Sequence, residues 1–287
     1  MVTDVLSAIR GGMNGFSKGQ KRIANYILES FDKAAFMTAS KLGKTAQVSE
    51  STVVRFAAEL GYRGYPEMQN ALQEMVRNRL TSVQRIESAN VRLEDQDVAS
   101  MVLQSDIHTL RMTNEALDRS ELSRCVDAIA SARNVYILGV RSSAAIASYL
   151  NFYLRTMLDN VRLVTPAPTS ELMEQLLHVG PEDVLIGISL PRYSQNTVKA
   201  MHFAGEAGCR CIAITDNLQA PLARVSNHVL IAKSEMVSIV DSLVAPMSVA
   251  NTLVVALSRK LGKEFSQTMA ELERLWAEYD VYDSHVF

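Results

Sequence analysis

Two short stretches of the sequence place an arginine and several hydroxyl side chains directly after an apolar run. A guanidinium binds phosphate or carboxylate through paired, charge-assisted hydrogen bonds, and nearby hydroxyls complete the contacts to such an anion. For each arginine alone, the alternative is a surface salt bridge with an acidic side chain. Because two arginines occupy matching places, we expect them to share one anionic ligand. The candidate ligand-binding residues are Arg141, Ser142, Ser143, Ser189, Arg192, Tyr193 and Ser194.

The elements that must position these residues alternate between strands and helices. The expected strands are VYILGV, VRLVT, VLIGISL, CIAIT and HVLIA, and the expected helices cover 142–157, 169–178, 194–207 and a short segment after Pro221. Continuous apolar strands separated by helices predict a parallel sheet covered on both faces. Ligands of such sheets bind beyond the carboxyl ends of the strands, at a topological switch point. Both arginine-containing stretches lie at such ends.

A different pattern, a series of short helices, fills the N-terminal part of the chain. Ser17 and Gln20 have the spacing of a capping box, while Thr38 and Ser49 are good helix N-caps. Gly61 is suited to end the helix that follows Ser49. Two short helices joined by a tight turn predict a helix-turn-helix, although an ordinary helical bundle with a polar outer face has the same periodicity.

The helix after Ser49 has an apolar face and a polar face. Its expected inward residues are Val53, Phe56, Ala57 and Leu60. Ser51, Thr52 and Arg55 are then expected to project together to the opposite side. In a major groove, arginine can bridge guanine O6 and N7, while serine and threonine bind either kind of base. This face is therefore a candidate for sequence-specific contact with double-stranded DNA.

Charge is distributed unevenly along the 287 residues, whose formal net charge is −2. Residues 1–80 hold 11 lysines and arginines against 7 acidic residues, and the remainder holds 18 against 24. A basic head on an acidic body is the asymmetry expected of a head that binds a polyanion. Chance variation of surface charge is the alternative.

The composition also limits the compartment and the metal chemistry. No apolar run reaches the length of a membrane span, and we expect neither a secretion signal nor membrane association. The three cysteines, at positions 125, 209 and 211, form no zinc-ligand spacing, so we expect structural thiols, no metal and no cofactor. A reducing cytoplasm is the expected compartment.

The stretch TASKLGKTAQVSESTVVRFAAELGYRGYPEMQNAL closely resembles the N-terminal domain of the RpiR/MurR transcriptional regulators. The resemblance covers roughly residues 4–77. It implies that Ser49, Ser51, Thr52 and Arg55 face DNA. It also implies that Lys44 and Arg63 lie near phosphates.

Residues from about 121 to 260 resemble a sugar isomerase (SIS) domain, the usual partner of this DNA-binding head. The resemblance implies a Gly-rich loop after the first strand and an S-x-S-G-x-[ST] loop after the third, which together hold a phosphosugar. Here Arg141 stands where a second glycine is common, and Pro191 and Arg192 replace serine and glycine. Because guanidinium groups replace backbone amides, a phosphosugar is no longer the only candidate ligand, and a sugar acid or other small carboxylate is a second one.

The expected fold is thus a two-domain α+β chain with an all-α helix-turn-helix head and a flavodoxin-like α/β body. We expect a DNA-binding domain at 1–80, a helical linker at 81–105 and an SIS-type sensing domain at 106–287. The expected function is a ligand-responsive transcriptional regulator, a homodimer or homotetramer because operators are usually two-fold symmetric. The alternative is a sugar-phosphate isomerase with a helical extension, which would need a base such as Glu171, Glu174 or His178.

Overall fold

The structure is a computed structural model that describes residues 5–79, 83, 84, 86, 97–235 and 240–282. It divides into two compact units, Met1–Ser88 and Ala89–Phe287. Much of the linker expected at 81–105 lies outside the described residues. Within the described ranges, no helix is long and apolar enough to cross a membrane.

The first unit consists of short helices. They are α1 (Val5–Gly12), α2 (Lys18–Glu29), α3 (Phe31–Ala34), α4 (Ala39–Thr45), α5 (Glu50–Glu59) and α6 (Tyr65–Arg79). The capping box of Ser17 and Gln20 is present at the start of α2. Thr38 and Ser49 cap α4 and α5 through their hydroxyls, as predicted. The chain leaves α5 through Gly61, whose φ is +89°, and this agrees with its predicted role as a stop.

The turn between α4 and α5 is held by close backbone packing. The Val48 amide donates to the Gly43 carbonyl over 2.8 Å. A Cβ atom at Gly43 would lie only 3.0 Å from the Val48 carbonyl oxygen, so any other residue here would have to push the turn outwards by a few tenths of an ångström. Gln47 completes the turn with a φ of +54°, and its carbonyl accepts a hydrogen bond from Arg22 on α2. The helix α2 therefore helps to fix the angle between α4 and α5.

The second unit alternates helices and strands. Its helices are α7 (Val98–Ala116), α8 (Arg119–Ala130), α9 (Ser143–Met157), α10 (Thr169–Gln175), α11 (Gln195–Glu206), α12 (Val244–Leu261) and α13 (Lys263–Glu278). Its strands are β1 (Val135–Gly139), β2 (Val161–Leu163), β3 (Val184–Ile188), β4 (Arg210–Thr215) and β5 (His228–Ile231). A 3₁₀ turn, Ala223–Val225, precedes β5. All five predicted strands are confirmed. The helix α7 runs across the boundary that was expected between the linker, 81–105, and the sensing domain, 106–287.

The five strands form one parallel sheet in the order β2-β1-β3-β4-β5. This is the flavodoxin-like order, whose switch point lies between β1 and β3. These two strands pair along their whole length, with Gly139 opposite Ile188. The loops that follow them therefore leave the sheet side by side. The predicted fold class is confirmed.

Alternate residues of the central strands enter two separate cores. Ile137 and Ile186 face one core, to which α8, α9 and α12 contribute. Leu138 and Leu185 face the other, together with residues of α10 and α11. Because both faces are covered, the strands are apolar without alternation, which is the pattern that made them recognisable.

At the amino edge of the sheet, a buried carboxylate joins two strands. Arg133 donates to both oxygens of Asp183, over 3.0 and 2.5 Å, and Asn134 and the Gly180 amide donate as well. Burial raises the pKa of Asp183, but these hydrogen bonds outweigh it and hold the pKa at about 2. The ionised carboxylate thus links the segments that directly precede β1 and β3.

Candidate functional site

The loops after β1 and β3 carry the predicted ligand-binding residues at the carboxyl edge of the sheet. Arg141 and Arg192 both adopt the left-handed backbone conformation, with φ of 56° and 64°. Both side chains are exposed. The sequence resemblance places glycine at these two positions, and glycine adopts this conformation without strain. The arginines thus keep the backbone shape of a glycine loop and add a guanidinium to it.

The first loop passes directly from strand to helix. The Ser143 amide donates to the Val140 carbonyl, which makes a tight turn around Arg141 and Ser142. A Cβ atom at Gly139 would lie 2.5 Å from the Ser143 carbonyl oxygen, so α9 reaches the end of β1 only because glycine stands there. Ser142 is exposed and makes no capping hydrogen bond, while Ser143 is buried.

In the second loop, the hydroxyls hold the backbone in shape. Ser189 is buried, and its Oγ accepts a hydrogen bond from the Ser194 amide over 3.1 Å. Ser194 caps α11, and its Oγ accepts from the Thr197 amide over 3.3 Å. Each hydroxyl is used here as an acceptor, so its proton is still available to a ligand oxygen. The structure therefore gives both serines a structural role that sequence reasoning did not predict.

Sequence reasoning also missed a polar group at the end of β4. The Tyr193 hydroxyl donates to the buried Asp216 carboxylate over 2.7 Å, and Asn217 donates to both residues. Thr215 donates to the Ser189 carbonyl over 2.8 Å. The second loop is thus attached to β4 at two points. The signal that could have revealed this group is its position, because Thr215, Asp216 and Asn217 follow an apolar strand as the arginines do.

Histidine, cysteine and acidic side chains of the second unit bear on metal binding and on general-base catalysis. Within the described ranges, no group of three histidine, cysteine or acidic residues could hold a metal ion. The three cysteines are free and buried. Glu171 and Glu174 on α10 and the nearby His178 are exposed. Among the described residues, Arg141 forms no ion pair, so the salt-bridge alternative does not apply to this arginine.

The second predicted set lies on the first unit, around the N-terminus of α5. Ser49 and Ser51 are exposed, and their hydroxyls lie 2.9 Å apart. Arg55 is exposed and donates to the Ser51 carbonyl over 3.3 Å. Thr52 is less exposed than Ser51 and Arg55. It is half-buried, its hydroxyl lies 2.8 Å from the Ser49 hydroxyl, and Gly19 of α2 approaches its methyl group.

The two residues expected near phosphates are both on the surface. Lys44 is exposed in the last turn of α4. Arg63 follows α5, and its guanidinium lies 3.2 Å from the Glu67 carboxylate. This exposed ion pair is weak in water.

Comparisons with known protein families match the two units separately. Residues 3–79 match the helix-turn-helix domain of the rpiR family. Residues 128–256 match the SIS domain. The first match contains all of α1–α6, and the second contains the sheet and both arginine loops.

Similar proteins extend the likeness over most of the chain. The HTH-type transcriptional regulator HexR of Escherichia coli is 25% identical over 277 residues, which are 94% of this chain and 93% of HexR. An uncharacterised HTH-type transcriptional regulator of Clostridium perfringens is 26% identical over 220 residues, covering 75% of this chain and 76% of that protein.

Solved structures show the same fold. The sugar isomerase domain of an RpiR transcription factor from Sphaerobacter thermophilus matches with a TM-score of 0.59 and 29% identity, covering 62% of this chain and 99% of that one. The Vibrio vulnificus NanR protein, solved in complex with ManNAc-6P, has a TM-score of 0.59 and 22% identity, covering 96% and 98%. The chain therefore belongs to the RpiR family of helix-turn-helix transcriptional regulators and carries a C-terminal SIS domain.

Proposed function

We propose that this regulator binds a small anionic metabolite at the carboxyl edge of its SIS sheet and that binding changes its affinity for a DNA operator. The ligand is a phosphosugar or a sugar acid, so the regulated genes belong to carbohydrate or sugar-acid metabolism. The regulator acts in the cytoplasm as a homodimer or homotetramer. Its proposed parts are a DNA-binding domain at 1–80, a linker at 81–105 and a sensing domain at 106–287.

One observation carries the ligand proposal. Arg141 and Arg192 hold left-handed backbone conformations in adjacent loops at the switch point of the sheet. A non-glycine residue in this conformation costs about 1–2 kcal/mol, and such strain concentrates at functional sites. Phosphate and carboxylate both suit paired guanidinium groups.

Other features support the same ligand class. Ser142 is exposed beside Arg141, and Ser194 keeps a hydroxyl proton for a ligand oxygen. NanR, which shares this fold, was solved in complex with the phosphosugar ManNAc-6P. Since arginine replaces glycine in both loops here, we include sugar acids and other small carboxylates in the class.

The DNA proposal rests on the exposed face of α5. Ser49, Ser51 and Arg55 are exposed at its N-terminal half, which is the part of a recognition helix that enters the major groove. We propose that Arg55 reads a guanine, that Ser49, Ser51 and Thr52 contact bases or phosphates, and that Lys44 and Arg63 contact phosphates. Ligand binding alters DNA affinity if it favours one arrangement of the chain over another.

We propose that the chain is not an enzyme. Aldose–ketose isomerisation needs a base that moves a proton between adjacent carbons. Neither arginine loop contains a carboxylate or an imidazole, and Asp216, which contacts the second loop, already accepts hydrogen bonds from Tyr193 and Asn217. Incubation of the purified chain with hexose and pentose phosphates tests this, and interconversion of any aldose–ketose pair would restore the isomerase hypothesis.

The regulator proposal is tested by first identifying a DNA fragment that the chain binds and then measuring the effect of candidate ligands on that binding. Random DNA fragments are selected with the full chain, and the recovered fragment is then titrated by fluorescence anisotropy with and without phosphosugars and sugar acids. We expect one of these anions to change the affinity for the selected fragment. Unchanged affinity with every anion that the chain binds would contradict the proposal.

A further inference from the structure

Val54 is the most exposed large apolar side chain among the helices of residues 5–79, where it is 43% exposed. Its sequence neighbour Val53 is fully buried. A single exposed valine is common on protein surfaces. Here, however, the residue lies on α5, in the middle of the face proposed to enter the major groove.

The outer face of α5 consists of two adjacent rows of side chains. Residues four apart lie one turn above each other on a helix, so Glu50, Val54 and Ala58 form one row. Ser51 and Arg55 form the other, and Arg55 donates to both the carbonyl and the hydroxyl of Ser51. All five residues are exposed. Val54 is therefore the apolar centre of an otherwise polar reading face.

A valine side chain has no hydrogen-bond donor or acceptor, so it cannot read a base edge through hydrogen bonds. The apolar feature that the major groove offers is the C5-methyl group of thymine. We propose that Val54 reads a thymine by packing its two methyl groups against that C5-methyl. This inference rests on the proposed function, since it requires α5 to lie in the major groove.

The neighbouring row limits where the thymine lies. Arg55 is next to Val54 in sequence and lies one row away on the same turn, so the two side chains reach neighbouring base pairs. If Arg55 bridges the O6 and N7 atoms of a guanine, each operator half-site contains that guanine and a thymine within a few base pairs of it. Specificity at the thymine then depends on apolar contact alone.

The test combines a protein change with a DNA change. The full chain selects its operator from random DNA, and each thymine of the recovered half-site is replaced in turn by deoxyuridine, which lacks only the C5-methyl. Affinities are measured for the unaltered chain, for Val54→Ala and for Val54→Thr, which keeps one methyl group. Val83→Ala is the matched control, since Val83 is exposed in the same unit but is not part of α5.

We expect one thymine per half-site to respond. Burial of one methyl group corresponds to roughly a fourfold change in affinity, so deoxyuridine there weakens binding by the unaltered chain about fourfold. With Val54→Ala the same replacement has almost no effect, because the contact is already lost. Val54→Thr retains part of the response, and Val83→Ala retains all of it. Val54 is exposed, so these variants should melt at the same temperature.

Two outcomes separate this inference from the proposed function. In the first, Arg55→Ala weakens binding to the selected DNA, but each deoxyuridine replacement has the same effect on the unaltered chain and on Val54→Ala. The proposed thymine contact is then wrong, while α5 remains the helix that reads DNA. In the second, neither Arg55→Ala nor Val54→Ala changes the affinity for DNA. The helix α5 then does not read DNA, and both proposals are wrong.

Discussion

Arg141 and Arg192 adopt the same left-handed backbone conformation in loops that follow the paired strands β1 and β3. Among the described residues, they are two of the four non-glycine residues with a positive φ. The sequence resemblance places glycine at both positions. A strained backbone conformation at a non-glycine residue is characteristic of functional sites. We infer that these two arginines bind an anion.

The strain itself can be measured at Arg141. Arg141→Gly removes left-handed strain, which raises stability by about 1–2 kcal/mol. Glycine also makes the unfolded chain more flexible, which lowers stability by about 0.5–1 kcal/mol. The free energy of unfolding of the variant should therefore be equal to that of the unaltered chain or slightly higher. Arg141→Ala keeps the strain and should show no gain. Both variants should lose the anionic ligand. Chemical denaturation measures the first effect and calorimetric titration the second.

Gln47→Gly is the matched control for this experiment, because Gln47 has a φ of +54° in the other unit. It should show the same gain in stability without any loss of ligand. A large loss of stability in Arg141→Gly, absent from Gln47→Gly, would mean that the Arg141 side chain stabilises the fold rather than a ligand complex.

Substitutions of Arg55 and Lys44 should affect DNA binding in different ways. Arg55→Ala should weaken the selected operator by on the order of 1–3 kcal/mol and relax the preference for one guanine. Lys44→Ala should weaken all sequences alike and reduce the salt dependence of binding. Anisotropy titrations at several salt concentrations distinguish the two. Equal effects of Arg55→Ala on operator and random DNA would contradict guanine reading.

The Tyr193 hydroxyl should stabilise the second ligand loop. Tyr193→Phe removes a 2.7 Å hydrogen bond to the buried Asp216 carboxylate. A hydrogen bond to a charged group contributes about 1.5–3 kcal/mol, so unfolding free energy should fall by that amount and ligand affinity should fall with it. Tyr279→Phe, on an exposed side chain, is the control and should change neither. Full ligand affinity in Tyr193→Phe would show that the attachment to β4 does not position Arg192.

Acid stability should depend on Asp183. Its pKa in the folded chain is about 2, below its ordinary value of 3.8, so ionised Asp183 contributes on the order of 2 kcal/mol above pH 4. That contribution declines as the pH falls from about 4 towards 2. Asp183→Asn should therefore be less stable near neutral pH, with a difference that narrows in acid. A constant difference between pH 7 and pH 2 would contradict the lowered pKa of the carboxyl.

Most of the fold could be predicted from the sequence because its signals are local. The caps at Ser17, Thr38 and Ser49 mark where helices begin. The central strands are apolar throughout because both faces are buried. The flavodoxin-like strand order came from the family resemblance, since apolar runs alone do not specify which strands are neighbours.

The site was less predictable, because it depends on backbone conformation and on contacts between distant residues. Nothing in the sequence shows that Arg141 and Arg192 have positive φ, since arginine rarely adopts it. The contact of Tyr193 with Asp216 joins residues 23 positions apart. Thr52 was expected on the outer face, but helical periodicity does not reveal that its hydroxyl turns to Ser49.

The proposed function depends on the binding of a small anion by the paired arginine loops. Its most direct test is a thermal-shift titration of the unaltered chain, Arg141→Ala and Arg192→Ala with phosphosugars, sugar acids and their neutral sugars, because a ligand of the folded state raises the melting temperature. We predict that at least one anion raises the melting temperature of the unaltered chain, that its neutral sugar does not, and that both variants lose the shift. An anion that shifts all three proteins equally, or a neutral sugar as the only ligand, would contradict this proposal.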